Sequence, residues 1–276
     1  MSSVTSQTKR LNTVPNAKDA HASTGRKFLL LGDTGGGKTT QFLTFPGRKF
    51  AYLFDPNAIL SLQGHDLEYE EFLPDRLNLS VKSLTKGKGD NTTSYNNSLY
   101  TEWEKDFNDR LKGGFFDNID AIMFDSATTL LDLIMDRVLT VNGRAGSWPQ
   151  QDDYGPQMLA FQNVCRSLTS LGKAVVMTGH VEMKQDELTK RIYRAPMMTG
   201  RLRTKVPLLF SDIYLCEGTN DGKGVTKHVI QTVPDRTMTT VRCTIKGLNP
   251  VEDVTIDWKK PVVGQGIGGL MMRDKT

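Results

Sequence analysis

Cysteine is scarce. The chain has three, Cys165, Cys216 and Cys243, among 276 residues. They are odd in number and widely spaced, which argues against a disulfide framework or a zinc ribbon and for buried thiols in a reducing compartment. The four histidines show no zinc spacing either. No run approaches the roughly 18 apolar residues of a membrane span, so no membrane partner is expected. Residues 1–24 lack an apolar signal core and hold few arginines, and read as a disordered tail rather than a leader. Charge of one sign is also lacking: net charge is +4 and the sequence pI about 8.8, compatible with nucleic acid without pointing to it. What remains, 38% hydrophobic and 24% charged, is an ordinary globular composition long enough for one large α/β domain.

Glycine is not lacking, and three stand together in "FLLLGDTGGGKTT", residues 28–40. The preceding "KFLLLG" is continuously apolar, as a strand buried on both faces must be. A short helix is expected from about Gly37 to Phe45, stopped by Pro46-Gly47. Further strands are expected at 49–55, 119–126 and 173–180, with helices at 99–111, 127–139 and about 159–171. "DIYLCE", "TKHVIQTV" and "MTTVRCTI" suggest late strands, in part antiparallel. Residues 84–98, 140–157 and 181–200 read as loops, and the glycine-rich end as a loose tail over 256–276. Alternating strands and helices predict a mainly parallel sheet covered on both faces.

Gly32, Gly37, Lys38 and Thr39 fit the phosphate-loop (Walker A) pattern G-x-x-x-x-G-K-[ST]. Phosphate needs several N–H donors at close range, which side chains would obstruct. The backbone of Gly32, Asp33, Thr34, Gly35, Gly36 and Gly37 can wrap an anion, with Thr40 closing the turn. Lys38 is expected at the β- and γ-phosphates, and the Thr39 hydroxyl on Mg²⁺, a hard cation that prefers oxygen. "AIMFDS" ends an apolar strand in Asp125-Ser126. Ligands in such sheets sit at the carboxyl ends of strands, so Asp125 is expected in the Mg²⁺ shell opposite Thr39. Asp125 or Ser126 as a helix N-cap is the competing reading.

The order phosphate loop, "FDSATTL" (124–130), "VVMTGH" (175–180), "TGRLRTKVPLLFSDIYL" (199–215) resembles the RecA-like ATPases. It is nearest to the phage-encoded AAA/RecA-like nucleotide-binding proteins of the recombinase and single-strand annealing group. The resemblance spans about residues 25–245. It implies a RecA-like P-loop core over 25–255, ATP with Mg²⁺, and His180 as a sensor at a strand tip. It implies DNA-binding loops at 140–156 and 181–199, and assembly into a ring or filament. It also implies a cation donated by a neighbouring subunit, for which Lys227, Arg236 and Arg242 are candidates. One departure stands out. The family's catalytic glutamate falls in "YLFDPNAI", where Asn57 lies near the position and Asp55 two residues earlier. Asp55 is the candidate substitute, with Glu68 or Glu70 as alternatives.

The later loop carries Lys184, Lys190, Arg191, Tyr193 and Arg194. Charge that tracks phosphates and a ring that stacks on a base suit single-stranded DNA. Arg144, Trp148 and Tyr154 form a weaker set in the earlier loop, with Trp148 as packing anchor the other reading. The leading expectation is an ATPase that binds single-stranded DNA in recombination, annealing or replication. It would work in the cytoplasm, that of a bacterial host if phage-encoded, beside a single-strand DNA-binding protein. A RecA-fold helicase or packaging motor, a nucleotide-gated interaction protein with little turnover, and a small-molecule kinase are the alternatives.

Overall fold

The computed structural model describes residues 25–73, 99–220, 222, 224 and 226–273. The expected N-terminal tail and the expected loop at 84–98 lie outside these residues. Four of the apolar runs become strands buried along their whole length: β1 (Lys27–Leu31), β2 (Lys49–Leu53), β4 (Ala121–Asp125) and β5 (Ala174–Gly179). Between β2 and β4 lies β3 (Glu68–Glu71). Its "EYEE" sequence carries no apolar signal, because it sits at the sheet edge, where charge is tolerated and deters edge-to-edge pairing. Beyond β5 come a separate hairpin, β6 (Val181–Gln185) with β7 (Ile192–Pro196), then β8 (Asp212–Asn220), β9 (Thr226–Gln231) and β10 (Val251–Asp253).

The main sheet runs β10-β9-β8-β1-β5-β4-β2-β3. The six strands from β8 to β3 are parallel, and β9 and β10 add on antiparallel. This is an α/β arrangement built on a mainly parallel sheet, as the alternation of strands and helices predicts. "MTTVRCTI" does not form the late strand expected of it; it meets β8 through the isolated Ile213–Arg242 bridge and through side-chain bonds of Thr244 to Asp212 and of Cys243 to Tyr214, and Met238, Val241 and Ile245 are buried.

Alternation along the strands sorts side chains between two cores. Leu29, Leu31, Tyr52, Phe124 and Met177 face α2 (Leu99–Lys112), α3 (Ala127–Val141) and α4 (Tyr154–Ser170). Trp103 and Phe107 of α2 are buried there, whereas Leu111 is exposed at the helix end. Phe28, Leu30, Leu53, Met123 and Val176 face the other way. That second face is covered by α1 (Lys38–Gln41), by the 3₁₀ turn Phe42–Thr44 that continues it, and by a C-terminal helix, α6 (Gly266–Arg273). A further short helix, α5 (Leu202–Lys205), precedes β8.

The helix α6 corrects the reading of 256–276 as a loose tail. Ile267, Leu270 and Met271 are buried. The amides of Ile267 and Gly268 donate to Gln41 Oε1 and Thr44 Oγ1 at 3.0 and 2.9 Å. The glycines there serve close approach: a Cβ on Gly268 would strike the Thr44 carbonyl.

Candidate nucleotide-binding site

The strand register brings the expected residues to one edge of the sheet. Leu31 pairs with Gly179 and Leu215, and Leu53 with Asp125. The segments that follow β1, β2, β4 and β5 therefore emerge side by side. The loop after β1 turns through Asp33 to Gly36, closed by the Gly36 amide on the Asp33 carbonyl at 3.2 Å. A Cβ on Gly36 would lie 2.6 Å from the Cys216 carbonyl. Glycine is thus demanded there by the neighbouring β8 backbone, a reason that sequence spacing does not reveal. At Gly37 φ is +81°, in the left-handed region that favours glycine.

Lys38 is buried, and its Nζ donates to the carbonyls of Gly32 and Asp33 at 3.0 and 2.9 Å. Burial pulls its pKa below the usual lysine value, while Asp125, Asp55 and Asp33 pull the other way. Thr39 Oγ1 donates to Asp125 Oδ2 at 2.7 Å across 86 positions of sequence. Thr178 holds the other Asp125 oxygen. Asp125 is 2% exposed, and burial raises its pKa despite those two hydroxyls. The helix cap goes to Ser126, whose side chain accepts from the Thr129 amide. The Thr39 hydroxyl and the Asp125 carboxylate are hard oxygen donors in contact, a set that fits Mg²⁺.

Asp55 accepts hydrogen bonds from Ser126 Oγ at 2.9 Å and from the Thr129 hydroxyl. His180 Nε2 lies 4.0 Å from its other oxygen. Glu68 and Glu70 are not in the site: they sit on β3, paired with Arg48 at 2.5 Å and Arg110 at 2.7 Å. Asn57 lines the cavity but is a left-handed turn residue, φ 65°.

These groups border a cavity of about 750 Å³. One wall is Asp55 to Ala58 and Ser61; the other is Thr226, His228, Thr255, Ile256 and Trp258. The second wall escaped the sequence reading. Nothing local marks it, because it is assembled by β9 and a segment that returns from beyond β10.

The expected DNA loops are more ordered than anticipated. Residues 181–200 are not irregular: β6 and β7 pair from Val181–Pro196 to Gln185–Ile192. Lys184 meets Glu182 at 3.0 Å, and Arg194 pairs with Glu217 of β8. Lys190 and Arg191 are exposed at the tip, with the Arg191 guanidinium 5.9 Å from the Tyr193 ring centre. In the earlier loop Arg144 is held by buried Asp153. Trp148 is 90% exposed and anchors no packing. Tyr154 begins α4. Lys227 is exposed on β9 beside the cavity-lining His228, and Arg236 is exposed in a turn. Arg242 reaches toward the Pro207 carbonyl at 3.4 Å. Among the described residues no helix is long and apolar enough to cross a membrane.

A family model described as an AAA domain matches residues 24–241. No curated protein matches the chain. Among solved structures, a KaiC-like protein from the hyperthermophilic archaeon Pyrococcus horikoshii superposes with a TM-score of 0.41 at 13% identity, over 83% of this chain and 89% of that one.

Proposed function

The chain belongs to the AAA domain family, and from that premise we propose that it binds ATP with Mg²⁺, hydrolyses it, and couples the nucleotide to single-stranded DNA in recombination, annealing or replication. The observation that carries the nucleotide reading is the Thr39–Asp125 contact beside Lys38 at the head of the glycine loop. Lys38 would exchange its two loop carbonyls for β- and γ-phosphate oxygens. The loop amides supply the rest of the grip. They matter more here than a helix dipole, since α1 is a single turn. Mg²⁺, held by Thr39 and Asp125, would neutralise charge developing on those oxygens.

Asp55 is the group we assign to orienting the attacking water. Ser126 and Thr129 fix one of its oxygens and leave the other toward His180. His180 also stands at the base of the hairpin, where its carbonyl accepts the Met197 amide at 2.9 Å. A change at the γ-phosphate that moves the His180 ring would therefore be passed to β6 and β7. Lys190, Arg191 and Tyr193 at the hairpin end supply charge and a ring for a single strand. Assembly into a ring or filament, with Lys227 or Arg236 offered to a neighbour, completes the proposal.

Lys38→Ala tests it. ATP affinity in a fluorescent-nucleotide titration should fall at least 100-fold, and turnover, with or without single-stranded DNA, should vanish. Unaltered affinity would remove the phosphate-loop role. Retained ATP binding with no turnover in the parent protein would favour a nucleotide-gated interaction protein.

A further inference from the structure

The segment from Val254 to Trp258 crosses the cavity one helical turn beyond the phosphate loop. Bonds to α1 and β9 hold it there. Gln41 of α1 donates from Nε2 to the Val254 carbonyl at 2.7 Å. The Val254 amide donates to the His228 carbonyl at 2.8 Å. The His228 amide donates to Thr255 Oγ1 at 2.9 Å. Gln41 is 1% exposed, and its other amide atom accepts from Ile267. The strap is thus fastened to the helix that would hold the triphosphate, and to β9.

Cavity chemistry is graded. Lys38, Thr39, Asp125, Asp55 and His180 line the end at the strand tips. The strap presents Ile256, 6% exposed, and the indole of Trp258, 56% exposed. Trp258 also meets the ring of His65, four residues beyond Ser61 of the opposite wall, at 5.5 Å between ring centres, which holds the indole at the far end. A triphosphate gripped by Lys38 directs the rest of its nucleotide away from the acids and toward this end. A flat, weakly hydrated ring there has an aromatic face to stack on.

We propose that the strap 254–258 is the base-binding wall of the site, with Trp258 stacking on the nucleobase and Gln41 as the positioning residue that keeps the wall in register with the phosphate loop. This rests on the nucleotide reading above, and the test separates the two. Affinities for ATP and for inorganic tripolyphosphate are measured by calorimetry on the full chain, its Trp258→Ala and Trp258→Phe variants, and Lys38→Ala. The expected result is that the parent binds ATP at least tenfold more tightly than tripolyphosphate. Trp258→Ala should lose about tenfold for ATP with tripolyphosphate unchanged, Trp258→Phe should keep most of the ATP affinity, and Lys38→Ala should lose both ligands.

Equal parent affinity for the two ligands would overturn the wall while leaving the phosphate loop intact. So would a Trp258→Ala effect of equal size on both, or on neither. Failure of the parent to bind either ligand would overturn the nucleotide reading and the wall with it. Trp258 is half exposed, so the variants are expected to melt within a few degrees of the parent. If the alanine variant unfolds, the phenylalanine variant carries the comparison: a tenfold loss for ATP there would overturn the stacking role.

Discussion

At Asp125, three physical effects meet on one carboxyl. Folding takes it from water to a nearly closed site, and burial raises its pKa above the ordinary aspartate value of 3.8. The hydroxyls of Thr178 and Thr39 work against that rise, and Asp55 adds to it. A carboxyl that titrates higher when folded binds more protons in the native state between its two pKa values. The stability it confers is complete below about 3.8 and is lost as pH rises through the folded value. Asp125→Asn removes that loss and keeps an oxygen for the Thr39 hydroxyl. In urea denaturation the ligand-free variant should be more stable than the parent at pH 7, with a flatter pH profile from about pH 4 upward. Mg²⁺-dependent nucleotide binding should be lost in the same variant. A parent that is the more stable at pH 7 would show that the ionised carboxylate is fully compensated by its partners.

Among the elements, the β6–β7 hairpin departs furthest from expectation. Its charges suggested a loose loop, yet backbone pairing and the Arg194–Glu217 ion pair give it a defined course. Pairing also sorts the basic residues. Arg194 is committed to β8 and Lys184 faces Glu182, whereas Lys190 and Arg191 sit exposed at the tip. If the hairpin tracks a phosphate backbone, those two should carry the salt dependence. The Lys190→Ala, Arg191→Ala double variant should lower single-strand affinity and reduce the log–log salt slope by about 0.7 for each lost phosphate contact. An unchanged slope in fluorescence anisotropy across salt would reject the hairpin as the DNA element.

For the whole molecule, the second face of the sheet is the decisive feature. The phosphate-loop helix is one turn and its 3₁₀ continuation another, too little to cover Phe28, Leu30, Leu53 and Met123. The C-terminal helix completes that core. Ile267 is fully buried in it, so Ile267→Ala should cost about 2–5 kcal/mol. A loss below about 1 kcal/mol in chemical denaturation would mean that α6 is not part of the cooperative unit. Gln41 and Thr44 carry the same message at their own positions, each binding α6 through its backbone amides.

Much of this was legible before any coordinates. Continuous apolar runs of five or six residues bounded by turn signals read as strands hidden on both faces, and these are. A glycine loop between such a strand and a lysine-threonine pair reads locally, because backbone freedom and anion binding are properties of neighbouring residues. Contacts between distant segments were not legible. Thr39 reaches Asp125 because β1 and β4 flank β5 in the sheet and β5 sets their register. The tail glycines were misread because glycine signals both looseness and close packing, and only a neighbour such as the Thr44 carbonyl distinguishes them. The far wall of the cavity had no signature at all. Short-range preferences act along the chain and can be read from it, whereas Trp258 faces His65 only after the sheet and α6 have folded the strap across α1.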